Sequence, residues 1–191
     1  MYIIRPIVKF IMLFLFSTLL YEKTIAQKYS IRTNLLNLIA RGPSLTTGKY
    51  LKNNSEVLLT FSSGHFSPFL FEDYYKYSTV HIECRKNDGY FLWGNFYFGG
   101  YSRYINKRII TEGFTAGPNG IFSKAPRNFI GHGISVGLTS GIEWEINKNW
   151  LIDYNNLIGA GKYLTQIDYA GHDKISFFPD IRIALQIGYK F

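Results

Sequence analysis

The last eleven residues of the chain alternate without a break between apolar and polar or small side chains. The apolar parity holds Ile181, Ile183, Leu185, Ile187, Tyr189 and Phe191. Because successive side chains of a β-strand point to opposite faces, this segment has one apolar face and one polar face. A tilted strand needs about 9–11 residues to cross a bilayer. The segment is therefore long enough to cross a membrane as a strand.

The other end of the chain has the organisation of a secretory signal peptide. Arg5 and Lys9 supply a positive start, and an apolar run follows from Phe10 to Leu20. Thr24-Ile25-Ala26 then places small residues at alternate positions before Gln27. The apolar run is shorter than the roughly 20 residues of a membrane-spanning helix. We predict a cleaved signal peptide at 1–26 and one mature domain at 27–191, with an uncleaved anchor helix as the alternative.

The charge and cysteine content exclude several classes of function. The formal net charge of +8 falls to +6 once Arg5, Lys9, Lys23 and Glu22 leave with the signal peptide. The sequence has no Lys/Arg-rich run and no recognisable nucleic-acid-binding motif, which argues against a function in binding nucleic acid. The single Cys84 cannot form an internal disulfide. The sequence has no H-E-x-x-H, C-x-x-C or Gly-rich phosphate loop, so it predicts no metal and no cofactor.

Short alternating runs separated by turn residues predict an all-β domain. The second, fourth and sixth connections (52–55, 87–89 and 147–149) are short and polar, and the third, fifth and seventh are longer. Short turns at one end and long loops at the other are typical of outer-membrane barrels. The eight predicted strands cover 29–39, 44–51, 56–66, 78–86, 90–104, 129–146, 150–164 and 177–191.

The residue types on the two faces of each strand predict which face points into the barrel and which points to lipid. In strand six, Ile134, Val136 and Leu138 share one parity, while Ser135 and Gly137 share the other. Parity alone does not say which face is inside, but small residues suit the crowded interior of a narrow barrel. Charged side chains are also less costly in a polar lumen than in the hydrocarbon of the membrane. We predict an eight-stranded antiparallel up-and-down transmembrane β-barrel in the bacterial outer membrane.

The chain resembles a family of bacterial outer-membrane barrels known only as a domain of unknown function. The stretch 30–36 (SIRTNLL) is similar to the family's IKTNLL-like opening, and 131–137, 143–145 and 149–153 resemble its Gly-rich strands and intervening Trp turn. The aromatic Phe191, with Tyr189, resembles the C-terminal assembly signal of outer-membrane barrels. The resemblance implies a barrel that the assembly machinery recognises through its last strand. It carries no catalytic residues.

Charged residues concentrate on the parity predicted to face the lumen. They form either a proton or ion path, a paired-carboxylate site, or a salt-bridged plug. An eight-stranded interior is only wide enough for side chains, which favours the plug. The predicted lumen charge network, mostly in the periplasmic half, is Arg32, His81, Glu83, Arg85, Glu143, Glu145, Asp153, Asp180 and Arg182.

The segment 102–128 is predicted to form a basic surface loop. Such a loop either binds lipopolysaccharide phosphates or an acidic protein partner, or anchors the barrel at the lipid headgroups. The aromatic loop 67–77 is either an adhesive patch or part of the outer girdle, and we favour the girdle. The predicted surface-loop binding residues are Arg103, Lys107, Arg108, Lys124 and Arg127.

These observations predict a non-enzymatic barrel with a structural or surface-interaction role, a plugged polar lumen and loops as the working surface. The alternative is a lipid-modifying enzyme resembling a lipid A deacylase, or a transport or fibre-assembly accessory. A deacylase needs His and Ser two residues apart on one strand. His132 and Ser135 are three apart, and His65 and Ser67 fall at a strand end.

Overall fold

A computed structural model describes residues 29–66, 74–111, 113–116, 122–124, 126–169 and 176–191. The predicted signal peptide lies outside these residues. No helix in the described ranges is long and apolar enough to cross a membrane. The elements are β1 (Tyr29–Asn34), α1 (Leu36–Ile39), β2 (Ser44–Tyr50), β3 (Ser55–Phe66), β4 (Tyr74–Phe91), β5 (Gly94–Thr111), β6 (Phe114–Ala116), β7 (Phe122–Lys124), β8 (Arg127–Glu145), β9 (Trp150–Asp168) and β10 (Phe177–Lys190).

Eight of the strands close into a barrel in the order β1-β10-β9-β8-β5-β4-β3-β2, and every pair is antiparallel. The remaining two, β6 and β7, form a separate short hairpin between β5 and β8. Closure gives each of the eight strands a paired neighbour on both sides for at least part of its length. The predicted fold class, an eight-stranded antiparallel barrel, is confirmed.

The barrel is apolar outside and polar inside. On β8, Val136 and Leu138 face outward with 60% and 74% of their surface exposed, whereas Ser135 and Thr139 face inward at 1% and 2%. Most of the fully buried side chains are polar or charged. A soluble protein buries apolar groups and exposes polar ones, so this inversion fits a protein surrounded by lipid. The observed burial therefore resolves which face is inside.

The two ends of the barrel differ. Both described termini and the three short connections lie at one end, called here the turn end; the longer connections lie at the opposite loop end. Outward aromatic rings gather at the turn end, where Trp150 packs edge-on against Tyr189 at 5.4 Å and Phe191 stacks on Tyr29 at 6.3 Å. Such a ring of aromatics is typical of a membrane interface.

The barrel wall has uneven height. Strands β4, β5, β8 and β9 have 18 or 19 residues, while β1 and β2 have six and seven. Only about 9–11 residues are needed to cross a bilayer. The four long strands exceed this length and form a tall wall on one side; at the loop end β9 continues past its last pairing with β10 at Lys162, and at the turn end β4 extends past β3.

The predicted turn at 87–89 is wrong. This segment stays within β4, where the register shift between Asn87 and Gly89 marks a β-bulge. The chain turns instead at Leu92 and Trp93, whose φ angles of 48° and 60° are uncommon for residues with large side chains. The Trp144 indole donates a hydrogen bond to the Leu92 carbonyl at 2.9 Å and supports this turn.

The first strand is also shorter than predicted. It ends at Asn34 rather than residue 39, and the single turn of α1 follows. The Asn37 side-chain amide donates to the carbonyls of Gly42 at 2.8 Å, Pro43 at 3.0 Å and Ser63 at 2.8 Å. The bond to Ser63 ties the loop to β3, and the strict alternation of β1 ends at Asn34 because apolar residues are adjacent at 35–36 and 38–39.

Candidate functional site

A cluster of ion pairs fills the barrel toward its turn end, and Arg32 lies at its centre. The Arg32 side chain is 0% exposed and pairs with Glu56, with Glu143 at 3.0 Å and with Asp153 at 2.9 Å. It also donates to the Tyr50 hydroxyl at 3.1 Å. A buried charge is costly unless it is paired and hydrogen-bonded. Three carboxylates around one guanidinium meet this requirement.

Arg85 is the second buried cation of this cluster. It donates to Glu83 Oε1 at 2.7 Å and to Asp153 Oδ2 at 2.8 Å, and its guanidinium lies 4.1 Å from the centre of the Tyr97 ring. The Tyr97 hydroxyl donates to Asp153 Oδ1 at 2.6 Å. Asp153 thus accepts from Tyr97, Arg85 and Arg32, and joins three other strands to β9.

Lys190 completes the cluster at the turn end. Its ammonium group donates to Glu143 at 2.8 Å and to Glu145 at 2.6 Å. The Glu145 side chain is 54% exposed, so it lies at the rim and not in the lumen as predicted. We call the following set the turn-end ion cluster: Arg32, Glu56, Glu83, Arg85, Glu143, Asp153 and Lys190.

Neutral side chains satisfy the remaining acceptors of the cluster. The Asn155 amide donates to Glu83 Oε1 at 2.9 Å, and the Thr139 hydroxyl donates to the same oxygen at 2.7 Å. Asn155 is 0% exposed and Thr139 is 2% exposed. The cluster therefore fills the cross-section with packed, hydrogen-bonded side chains.

His81 links this cluster to Arg182 farther toward the loop end. Arg182 Nη1 lies 3.2 Å from His81 Nδ1, and a guanidinium can only donate, so Nδ1 accepts. The ring proton of a neutral His81 is then assigned to Nε2, which faces Glu83 Oε2 at 3.7 Å. No carboxylate of the described residues lies within ion-pair distance of Arg182 itself.

Arg103 and Asp180 form a second, separate ion pair on the loop-end side. Ser135 also donates to the Asp180 carboxylate. Arg103 Nε is buried and has no hydrogen-bond partner among the described residues. This level of the interior therefore holds two cations, Arg103 and Arg182, against one carboxylate.

An aromatic core lies beyond this pair at the loop end. Phe129 packs edge-on against Tyr163 at 5.1 Å, and Tyr163 contacts Phe178 at 4.6 Å. The Lys107 ammonium lies 4.8 Å from the centre of the Phe178 ring. A cation over an aromatic face is attracted by the ring quadrupole. The interior of the tall wall is thus packed rather than open.

The structure places the predicted lumen residues at several heights. Inward-facing positions are occupied by Arg32, His81, Glu83, Arg85, Glu143, Asp153, Asp180 and Arg182. His81, Asp180 and Arg182 lie on the loop-end side of the turn-end ion cluster. The other five belong to the turn-end ion cluster; that this end faces the periplasm stays a prediction.

The predicted surface-loop residues do not form one loop. Arg103 lies inside the barrel on β5, and Lys107 covers the aromatic core, so both assignments are wrong. Arg108 is exposed on β5. Arg127 lies at the start of β8, 3.4 Å from Asp168. The Lys124 side chain lies outside the described residues, as does most of the aromatic loop 67–77.

Sequence reasoning missed several members of the interior. Glu56 opens β3 on the parity opposite to Val57 and Leu59, and Lys190 shares the parity of Arg182, so alternation could have found both. Tyr97 lies in a strand whose two faces both look apolar, and only the structure shows its hydroxyl on Asp153.

Among the described residues, His132 and Ser135 do not come together as a hydrolase pair. His132 faces outward and its Nδ1 lies 2.8 Å from the Tyr104 hydroxyl, whereas Ser135 is buried inside. Ser67 lies outside the described residues. Within the described residues no group of three His, Cys, Asp or Glu side chains is arranged to hold a metal ion.

The fold and its interior define a transmembrane β-barrel with a charged, side-chain-filled lumen. The chain belongs to the family described as "Protein of unknown function (DUF3575)", whose model matches residues 9–176. This confirms the resemblance stated from sequence. A comparison with curated proteins returns no match.

Two solved structures are similar in shape. One is the crystal structure of Neisserial surface protein A (NspA), at 10% identity and a TM-score of 0.48, covering 86% of this chain and 94% of that chain. The other is a major outer membrane protein from Thermus thermophilus, at 10% identity and a TM-score of 0.49, covering 86% of this chain and 98% of that chain. Identity at this level transfers no residue role from one chain to another.

Proposed function

We propose that the protein is a sealed outer-membrane barrel with a structural or surface-interaction role. The turn end faces the periplasm and the loop end faces the outside, which places the short turns and the long connections as in barrels of this kind. The tall wall of β4, β5, β8 and β9 then projects from the cell surface and, with the loops, is the working surface.

One observation carries this proposal: charged side chains of both signs fill the lumen and pair with each other. Four cations, Arg32, Arg85, Arg103 and Lys190, pair with five carboxylates, Glu56, Glu83, Glu143, Asp153 and Asp180, and Arg182 contacts His81. In this proposal the paired side chains of the turn-end ion cluster leave no continuous path for water or solute along the barrel. If the lumen is sealed, the functional contacts of the protein are made by its outer surface.

The outer surface offers basic groups for an anionic partner. Arg108 is exposed on the tall wall, and Arg127 lies at its loop end with a side chain 31% exposed. Surface cations attract phosphate-bearing glycolipid or an acidic protein through screened electrostatics. We assign lipopolysaccharide as the first partner to test, and the barrel-assembly machinery as the partner of Tyr189 and Phe191 during insertion.

The test compares charge removal at the two ends of the barrel. Arg108→Gln with Arg127→Gln should weaken binding of the reconstituted protein to lipopolysaccharide vesicles several-fold, and wild-type binding should fall as salt is raised. Lys52→Gln with Lys148→Gln removes the same charge from the turn end and is the matched control. Equal loss in both double variants, or binding insensitive to salt, would contradict the proposed surface.

A further inference from the structure

The barrel wall has a side opening where β10 loses its partner. Strand β10 pairs with β1 only from Gln186 to Lys190, whereas it pairs with β9 along its whole length down to Phe177. The last contacts on the β1 side are made by Leu185, whose N–H donates to Asn34 Oδ1 at 3.2 Å and whose carbonyl accepts from Leu35 at 2.8 Å. Toward the loop end, no strand of the described residues pairs with β10 on this side, and we call this stretch its free edge.

The loop that follows β1 lies beside both sides of this gap, because α1 packs next to β3 and next to β10. Its hydrogen bonds tie it to β3: the Asn37 amide donates to the Ser63 carbonyl, the His65 N–H donates to the Ala40 carbonyl at 2.7 Å, and the Tyr77 hydroxyl donates to the Asn37 side-chain oxygen. No described backbone hydrogen bond joins α1 to β10 beyond the one from Leu35 to Leu185. A cavity lined by residues of both α1 and β10 marks the side opening between them.

The outer rim of the side opening is apolar. Ile181 and Ile183 face outward with 71% and 54% of their surface exposed, and Leu38 and Ile39 of α1 are 64% and 66% exposed. Ile183 is seven residues from the turn-end limit of β10 at Lys190. At about 3.3 Å per residue and the tilt typical of these strands, it lies roughly 18 Å up an apolar band about 25 Å tall. The opening therefore faces hydrocarbon.

The free edge needs a polar partner in that environment. Because backbone groups alternate in direction along a strand, Ile181 and Ile183 direct their N–H and C=O groups to the same side as Leu185. Neither has a backbone partner there among the described residues. Pro179, next in this series, has no N–H to satisfy. Unpaired backbone groups facing lipid are costly, so an occupant that forms hydrogen bonds is favoured.

A cavity of about 210 Å³ lies behind the opening and has a surplus of positive charge. Arg103 and Arg182 both line it, together with Tyr75 and Tyr77. Asp180 pairs with Arg103 alone, while the one described polar contact of Arg182 is His81. Arg103 Nε and Arg182 Nη2 are buried with no hydrogen-bond partner in the part of the chain that the structure describes, and the Arg103 side chain is only 10% exposed. These donors suit an anion.

We infer that the side opening binds the anionic head group, phosphate or carboxylate, of a membrane amphiphile. The head group enters the cavity and accepts hydrogen bonds from Arg182 and Arg103, and the acyl chain stays outside along Ile181 and Ile183. The cavity has room for about seven water-sized volumes, which suits a head group but not an alkyl chain. This site is separate from the surface binding proposed above and does not depend on it.

The test uses dodecyl phosphate and protein purified in dodecyl maltoside, a detergent with the same alkyl chain and no charge. Native mass spectrometry counts the dodecyl phosphate molecules retained as its concentration is raised. We expect one tightly retained molecule. Arg182→Gln should weaken retention about tenfold, the loss of one charge-assisted hydrogen bond, while Arg182→Lys keeps most of it. Lys162→Gln, which removes an exposed cation of β9, should leave retention unchanged.

Three further results show whether the bound anion belongs to a lipid and whether the proposed site is correct. Inorganic phosphate retained as tightly as dodecyl phosphate would overturn a lipid origin, because the alkyl chain would then add nothing. Equal retention by wild type and Arg182→Gln, both showing the faster migration of a folded barrel before boiling, would overturn the site. If Arg182→Gln does not fold, loss of binding in a folded Arg103→Gln variant supports the site and unchanged binding overturns it.

Discussion

At the residue scale, Asp153 holds the sealed interior together. Its two carboxylate oxygens accept from Arg32, Arg85 and Tyr97, and its side chain is 0% exposed. Removing one member of a buried ion pair leaves an uncompensated charge, which costs far more than the net contribution of the pair. The cluster therefore depends on the joint presence of its members more than on any single contact.

Asp153→Asn should lower the free energy of unfolding by about 3–5 kcal/mol, less if water enters the lumen. The double variant Asp153→Asn with Arg32→Met should lose less free energy of unfolding than the sum of the two single variants. The reason is that Arg32→Met removes one of the cations that Asp153→Asn leaves without a partner. Urea unfolding in detergent micelles measures both. Asp88→Asn, at an exposed position of β4, is the control and should stay within about 0.5 kcal/mol of wild type. Strict additivity would contradict the coupling.

Neighbouring glycines on β5 give a second residue-scale test. A Cβ added at Gly99 would lie 1.9 Å from the Cys84 carbonyl oxygen, a backbone atom of the paired strand. At Gly100 the nearest atom is 3.6 Å away. Gly99→Ala should therefore reduce the yield of folded barrel strongly, and Gly100→Ala should not. The unboiled fraction on a detergent gel measures this, and equal yields would refute the close approach.

At the element scale, β10 closes the barrel through its last residues. Phe191 donates to the Tyr29 carbonyl at 3.0 Å and accepts from the Tyr29 N–H at 3.2 Å. This pairing joins the two ends of the described chain at the seam between β1 and β10. The terminal aromatic thus has a structural contact besides the predicted role in recognition by the assembly machinery.

Deleting Phe191 should block insertion into the outer membrane while leaving export to the periplasm intact. The deletion removes the seam contacts and the terminal aromatic together. Fractionation of cells, with the gel shift of the folded barrel, measures the outcome. Phe177→Ala, an exposed aromatic at the other end of β10, is the control. Normal insertion of the deletion variant would show that the last residue is dispensable.

Alternation predicted most strands because it follows from which face meets lipid. It predicted β10, β8 and the turn near 147–149 within a few residues. It failed at Leu92 and Trp93, since a turn at residues with positive φ and large side chains has no sequence signature. It also ended the fifth strand at residue 104, because beyond this point the alternation reverses: Ile105 and Ile109 face the interior, while Arg108 is exposed. That error placed Lys107 in a loop. Arg103 lay in the overlap between the predicted strand 90–104 and the predicted basic segment 102–128 and was assigned to the loop.

At the scale of the whole molecule, the interior of the barrel has two parts that differ in chemistry. The turn-end ion cluster closes the lumen with paired charge, while the loop-end part contains the aromatic core and the cavity beside Arg182. Sequence parity predicted the charged lumen but not this division, because the division depends on strand tilt and register. The central claim that follows is a barrel that spans the membrane and does not conduct.

Planar-bilayer recording of the purified, refolded protein tests this claim most directly. A sample shown to be folded by its faster migration before boiling is added to the bilayer, and a porin of known conductance serves as the control for insertion. The ion pairs across the lumen predict no steady conductance in the wild-type protein at any holding potential that the bilayer tolerates. A stable, reproducible open level from the unmutated barrel would contradict the account and favour transport.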